Sequence, residues 1–314
     1  MNYQRNNQNA LPWPYPILYE ATEHVSADVL VVGGSFAGCC AALSAARRGL
    51  HVAVTDKAPI KRSGNGGSGI DHWNSIFENP KSPMSTEKVI EKTMESVHSL
   101  GHRDYIAMKG TWDALLEMEK LGLPIRDEDG EFARSPFYDA DTRLLKAYNY
   151  QDMVSVKLRG GHYIKPVLYS ALKSEKNISL FKRIIITKLL TRLDLPEKPV
   201  CGAMGFSLET GKFYVFSAKS VVIATGYITG CWTFNTELAG GGFREDPNDV
   251  GEGLAMAWEA GAEIYNLENT GAPGGASPIS WPLYGFGNCT NTWFPCSVVD
   301  NEGKEIPWEE CKRG

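Results

Sequence analysis

The 314 residues carry 32 Lys plus Arg against 37 Asp plus Glu, a net charge of −5, with 43% hydrophobic and 22% charged residues. That is the composition of a globular chain with room for one large or two medium domains of roughly 100–200 residues each; it excludes bulk disorder, and the mildly acidic balance lacks the basic footprint of a nucleic-acid binder. No run reaches about 18 apolar residues, and the first two dozen residues are polar and Pro-rich without a basic start and apolar core, so a soluble, unexported, cytoplasmic chain with no transmembrane segment is expected.

Seven cysteines (39, 40, 201, 231, 289, 296 and 311) form no CxxC pair and no Cys/His spacing suited to zinc or an iron–sulfur cluster. They fit a reducing compartment and read as small buried hydrophobes. No metal site is expected.

Residues 1–26 carry Asn and Gln and then Trp13-Pro14 and Tyr15-Pro16, which suits an extended arm. Ordered structure is expected from Asp28. Residues 28–32 (DVLVV) form a continuously apolar, β-branched run, the pattern of a buried parallel strand. GGSFAG follows at 33–38, then the small-residue helix CCAALSAARRG stopped by Gly49, then a second apolar strand at 51–55 that ends at Asp56. Strand, glycine turn, helix, strand and acid make a βαβ unit whose right-handed crossover sets the two strands parallel. A second glycine-dense stretch occupies 63–69 (SGNGGSG). Helices are predicted over 85–99, 103–121 and 163–174, with a charged turn at 126–131. From 178 to 223 the alternating and β-branched runs predict a small antiparallel meander feeding back into the main sheet. A last helix is predicted over 254–260, before a loop-rich tail.

The expected fold class is α/β: a Rossmann-like FAD/NAD(P)-binding domain at 27–240, with a parallel sheet, helices and the small meander, after an arm at 1–26.

The first glycine cluster meets a specific demand. A pyrophosphate needs backbone N–H donors and the positive end of a helix dipole, approached without Cβ atoms in the way. Gly33 and Gly34 allow the turn, Ala37 keeps the helix start small, and Gly38 allows helix and strand to pack closely. Ser35 stands where GxGxxG has its middle glycine; it is small, and its hydroxyl can donate. Asp56, 18 residues beyond Gly38, is placed to accept from ribose hydroxyls, with Lys57 beside it. A nicotinamide enzyme would continue with a third strand soon after Asp56. This chain instead supplies a second glycine stretch, a long helical insertion and a later strand ending in glycine, VVIATG at 221–226. That combination favours FAD lying along an extended groove.

Other residues are candidates for chemistry. Arg159 and His162, at the start of the helix near Tyr163, could place a cation and an imidazole near a reacting carbonyl or the reduced flavin. Arg244, Glu245 and Asp246 read as a solvated loop. His98 and His102 are separated by Gly101, which argues against a shared helix face and a metal site. His72 and Trp73 follow the second glycine stretch directly, where a flavin would lie.

Taken together, VVGGSFAG, KRSGNGGSG, GGHYIKP, VVIATG, DVGEGLAMAWEAGAEI and AGAEIYNLEN resemble the fumarate reductase/succinate dehydrogenase flavoprotein family, and within it most closely the adenylylsulfate reductase alpha subunits, over most of residues 27–310. The resemblance implies an FAD-dependent oxidoreductase acting on a small-molecule substrate, and its possible partner is an iron–sulfur ferredoxin-like subunit. The alternatives are a flavin dehydrogenase acting on an activated C–C bond and a non-catalytic electron-transfer subunit. The resemblance assigns FAD contacts to Arg62, Ser63, Gly64, Gly66, Gly67, Ser68 and Gly69, to Ala224, Thr225 and Gly226, and to Glu252 in the segment that relatives write as TGDG. Members with covalent flavin have a His where this chain has Gly64, which implies non-covalent FAD. Asn74 matches an Asn held near the flavin, giving Asn74, His162 and Arg159 as the candidate catalytic set. No His occurs at 268–276, where the fumarate-binding His-Pro-Thr segment falls, and Gly275 stands in place of a substrate-clamping Arg. The resemblance also implies that 241–314 are the beginning of a capping, substrate-binding domain that is incomplete within this sequence, so the sequence is expected to be a truncated family member.

Overall fold

The computed structural model describes residues 18–96, 101–134, 138–144, 154–226, 228, 248–265 and 301–305. The chain divides into two compact units, one of residues 1–69, 163–231 and 245–269, the other of 70–162, 232–244 and 270–314.

The first unit is an α/β unit built on one six-stranded sheet. In chain order it holds β1 (Leu18–Val32), α1 (Phe36–Ala46), β2 (Val52–Asp56), then α4 (Ile164–Ser174), β5 (Ile178–Lys182), β6 (Ile184–Thr191), β7 (Val200–Ser207), β8 (Lys212–Ile223) and α5 (Glu252–Glu259). The second unit supplies β3 (His72–Trp73), α2 (Thr86–Ser96), α3 (Gly101–Lys120) and β4 (Val156–Lys157). The sheet order is β5-β2-β1-β8-β7-β6. β1 lies parallel to both β2 and β8, and β2 parallel to β5. Leu30, Val31, Val52, Ala53 and Val54 are all buried, the consequence of a parallel strand covered on both faces.

Two elements differ from the sequence expectation. Order begins well before Asp28, because β1 starts at Leu18 and pairs Glu23 through Ala27 with Tyr214 through Ala218 of β8. Residues 18–27 contain no continuous apolar run, so their strand state depends on a partner 191 positions further along the chain, as Glu23 with Tyr214. The second difference is β5. It is not part of the antiparallel meander but a parallel strand beside β2, pairing Val52 with Ile178 through Asp56 with Lys182. Its entry from α4 explains this, since a strand reached through a crossover helix runs parallel to the sheet it rejoins. β6, β7 and β8 do form the antiparallel meander.

A single residue, Arg183 at φ 60°, separates β5 from β6, although these strands stand at opposite ends of the sheet order. The sheet therefore turns back over itself. Ile184, Ile186 and Leu189 of β6 share one core with Leu30, Val32, Ala53, Ala203, Phe216 and Met256, and the Phe181 and Phe216 rings meet edge to face at 5.1 Å. α1 buries Gly38, Cys39, Ala42, Leu43 and Ala46, a stripe at helical spacing made almost entirely of small residues. A Cβ on Gly38 would sit 1.8 Å from the Gly33 carbonyl oxygen, so the helix can approach the strand this closely only with glycine there.

In the second unit the residues expected to form two helices do so as α2 and α3, and α3 starts at Gly101. Lys109 bridges Glu78 at 2.9 Å and Glu87 at 3.0 Å. Among the described residues no group of His, Cys, Asp and Glu could hold a metal, and no helix is long and apolar enough to cross a membrane. His98, Arg244, Glu245, Asp246, residues 268–276 with Gly275, and Cys231, Cys289, Cys296 and Cys311 lie outside the described residues, as does the arm before residue 18.

Two outcomes follow from this packing. Gly38→Val forces α1 off the sheet and lowers unfolding stability by about 1–3 kcal/mol, read from urea denaturation. The Lys109 hydrogen bond, then that from Thr86, holds the Glu78 carboxyl below its usual value; Glu87 is held down to about 2, first by its own backbone N–H and then by Lys109. Both carboxyls are depressed on folding from an unfolded value of 4.5. Their contribution is therefore complete above that value and is lost as pH falls toward about 2. Lys109→Met should therefore lower stability above about pH 4.5 and converge with the wild type toward about pH 2, which flattens the acid limb of a stability–pH profile measured by chemical denaturation.

Candidate cofactor site

The carboxyl ends of β1, β2 and β8 open into a cavity of about 490 Å3, within the roughly 300–1,000 Å3 of small-molecule sites. All of it belongs to the first unit. The β1–α1 turn contributes Val32, Gly33, Ser35, Phe36 and Ala37, the end of β2 contributes residues 55–58, and the second glycine stretch Ser63, Gly64, Asn65 and Gly66. Residues 224–226 after β8, with Asn248, Asp249, Glu252 and Met256, close another side.

The turn is shaped from within. Gly33 has φ +100°, and a Cβ there would lie 2.3 Å from the Ala224 carbonyl oxygen, so both conformation and space require glycine. The Ser35 hydroxyl donates to that same Ala224 carbonyl at 3.2 Å. It therefore ties the turn to the end of β8 and is directed into the protein.

Gly34 is the centre of the arrangement. Its N–H donates to Asp56 Oδ2 at 2.8 Å, and its carbonyl accepts from Ser63 Oγ at 3.2 Å, from Cys39 Sγ at 3.3 Å and from Lys165 Nζ. Asp56 is 8% exposed and Lys165 0% exposed. The other carboxylate oxygen of Asp56 accepts the Ala58 N–H at 2.7 Å. Each of these oxygens retains a further lone pair, which is what a ribose hydroxyl would need. Burial pushes the Cys39 thiol up from its ordinary value, against the opposing pull of the Lys165 ammonium.

Lys57 reaches across the cavity to the Glu252 carboxylate in the first turn of α5 and to the Asn248 carbonyl. Its charge is thus balanced inside the site. Arg62 points back along its own segment, donating to the Gly67 carbonyl at 3.2 Å, and Gly67 is buried against the Arg62 carbonyl.

The structure brings together Gly33, Ser35, Ala37, Asp56, Lys57, Ser63, Gly64, Gly66, Ala224, Thr225, Gly226 and Glu252 around one cavity. Gly34, Gly38, Arg62, Gly67, Ser68 and Gly69 do not line it. Asn74, Arg159 and His162 belong to the second unit. There the Ser155 hydroxyl donates to Asn74 Oδ1 at 2.7 Å, Arg159 is surface-exposed with Glu128 at 3.5 Å, and His162 is exposed. Sequence reasoning passed over Lys165, although it lies inside the GGHYIKP segment, because a lysine one residue before proline carries no signal of burial. It also passed over residues 183–186, Leu208 and Met256, which line the cavity because of how the sheet turns back.

A glycine turn between a parallel strand and a helix, closed by an acid at the end of the next strand, defines a dinucleotide-binding protein. The chain belongs to the FAD binding domain family, whose model matches residues 28–273. It is 25% identical to the alpha subunit of the adenylylsulfate reductase of Megalodesulfovibrio gigas, over 92% of this chain and 45% of that one. It is 28% identical to the succinate dehydrogenase flavoprotein subunit of Rickettsia bellii, over 78% and 39%. The solved adenylylsulfate reductase of Archaeoglobus fulgidus superposes with a TM-score of 0.62 at 29% identity, covering 80% of this chain and 39% of that one. The chain thus spans about half the length of the curated relatives it matches. The cofactor of the family is FAD, and the cavity fits its dinucleotide half: a glycine turn at a helix N-terminus, with a buried carboxylate alongside.

Asp56→Ala removes the acceptor from the N–H groups of Gly34 and Ala58 and is expected to cost about 2–4 kcal/mol of stability. Asp56→Asn keeps one acceptor oxygen and should lose less; equal losses in chemical denaturation would show that these two hydrogen bonds are not what Asp56 contributes.

Proposed function

We propose that this chain is the FAD-binding part of an FAD-dependent oxidoreductase of the fumarate reductase/succinate dehydrogenase flavoprotein type, resembling the adenylylsulfate reductase alpha subunit, with non-covalently held flavin. The observation that carries the reading is the cavity in which twelve of the expected cofactor residues converge. Bound FAD would supply two-electron redox chemistry, and the chain's own residues would bind and orient it. The N-terminus of α1 would hold the pyrophosphate through backbone N–H groups and the helix dipole. Asp56 would accept from the adenosine ribose. The backbone of residues 63–66 would lie along the cofactor, and Lys57 with Glu252 would fix the wall opposite.

Non-covalent attachment is supported by the backbone at Gly64. Its φ is +73°, and a Cβ there would come 2.7 Å from the Ser35 Cβ. A His at this position would be strained and would press on the turn that holds the pyrophosphate. Asn74, Arg159 and His162 remain the proposed polar groups of the reaction, Asn74 through the resemblance and the other two through their place before α4. A small-molecule substrate, an iron–sulfur ferredoxin-like partner and a cytoplasmic location complete the reading; these rest on the relatives and on composition.

The chain reconstituted with FAD should turn yellow at one flavin per polypeptide, and acid precipitation should leave the flavin in the supernatant. Flavin retained in the washed pellet would overturn the non-covalent attachment. A chain that takes up no FAD would overturn the site.

A further inference from the structure

We propose that Lys165 is a positioning residue for anion binding: its buried ammonium, acting through the Gly34 carbonyl, orients and polarises the peptide whose N–H, on Ser35, faces the cofactor's pyrophosphate. The proposal rests on the reading of the cavity as the dinucleotide site and adds a residue that this reading did not contain.

Lys165 is 0% exposed, on the buried face of α4 with Ile164, Leu168 and Leu172. A lysine in such a place needs a reason, because an ammonium taken out of water loses several kcal/mol of hydration unless it is well paired. Its ammonium meets the Gly34 carbonyl and Cys39 Sγ, the latter at 3.5 Å. Neither is a carboxylate. The balancing charge is Asp56, on the opposite end of the Gly34 residue through its N–H. The ammonium and the carboxylate therefore hold Gly34 from its two sides.

A trans peptide directs its C=O and N–H in opposite senses. With the carbonyl of Gly34 drawn inward to Lys165, Ser63 and Cys39, the N–H of Ser35 is turned outward. Ser35, Phe36 and Ala37 line the cavity, whereas Gly34 does not. A positive charge on the carbonyl oxygen withdraws electron density from the peptide and strengthens its N–H as a donor. In a site of low effective dielectric the same charge also attracts the phosphates directly. A neutral residue able to fill the space would keep the packing but lose both effects.

The test compares ligands with and without phosphate on the intact chain. ADP and adenosine are titrated into the wild type, Lys165→Met and Lys165→Gln, the last retaining a donor without the charge. Both variants should bind ADP about tenfold or more weakly, with adenosine affinity unchanged within about twofold. In the wild type, the 15N-labelled Ser35 amide should shift downfield on addition of ADP and stay in place with adenosine, a readout that needs no variant to fold. A parallel loss of ADP and adenosine binding would make Lys165 merely structural and overturn the proposal, as would unchanged ADP affinity or a Ser35 amide that ignores ADP. If the wild type binds neither ADP nor FAD, the reading of the cavity itself fails, and the role of Lys165 falls with it.

Discussion

One residue, Gly34, is held between two buried opposite charges, and the geometry of the site depends on that constraint. Asp56 takes its N–H and Lys165 its carbonyl, with Ser63 and Cys39 adding two further donors. The contributors come from β2, α4, the segment after β2 and α1, so a single backbone position locks four parts of the unit to the β1–α1 turn. Removing either charge alone would leave the other buried with reduced compensation, which is costlier than losing an ordinary hydrogen bond. The turn is therefore rigid before any ligand arrives. A pre-set array of N–H donors is what an anion site at a helix N-terminus requires.

The second constraint is the return of the sheet over itself. Arg183 at positive φ sends the chain from β5, at one end of the strand order, directly into β6 at the other. The same movement packs Ile184 and Ile186 against Leu30, Val32 and Ala53 and brings residues 183–186 to the cavity wall. Core and site share these residues, so the hydrophobic energy that stabilises the unit also shapes the space beside the turn. α5 takes part in the same way, with Met256 in the core and Glu252 meeting Lys57.

These features account for the departures from a simple glycine pattern. Ser35 is tolerated at the middle position because its hydroxyl is turned inward onto Ala224 and leaves the backbone N–H groups clear. Gly64 lies against Ser35 with φ +73°, so the two glycine stretches touch, and a larger residue in either would disturb the other. The family resemblance and the local physics thus bear on the same positions for independent reasons.

The sequence alone determined the α/β class, the first βαβ unit, the helices near 86–96, 101–120 and 164–174, the β6–β8 meander and twelve of the residues that line the cavity. These are properties of local pattern: continuous apolar runs for doubly covered strands, small-residue helix faces, and glycine where backbone must approach backbone. Only the tertiary structure decided that residues 18–27 are a strand, that β5 is parallel beside β2, that Lys165 is buried on Gly34, and that 183–186 belong to the site. Each depends on a partner far along the chain: β8 for the early half of β1, β2 for β5, and the turn for Lys165. Local composition records what a segment can become, but pairing, burial and charge compensation are properties of two segments together.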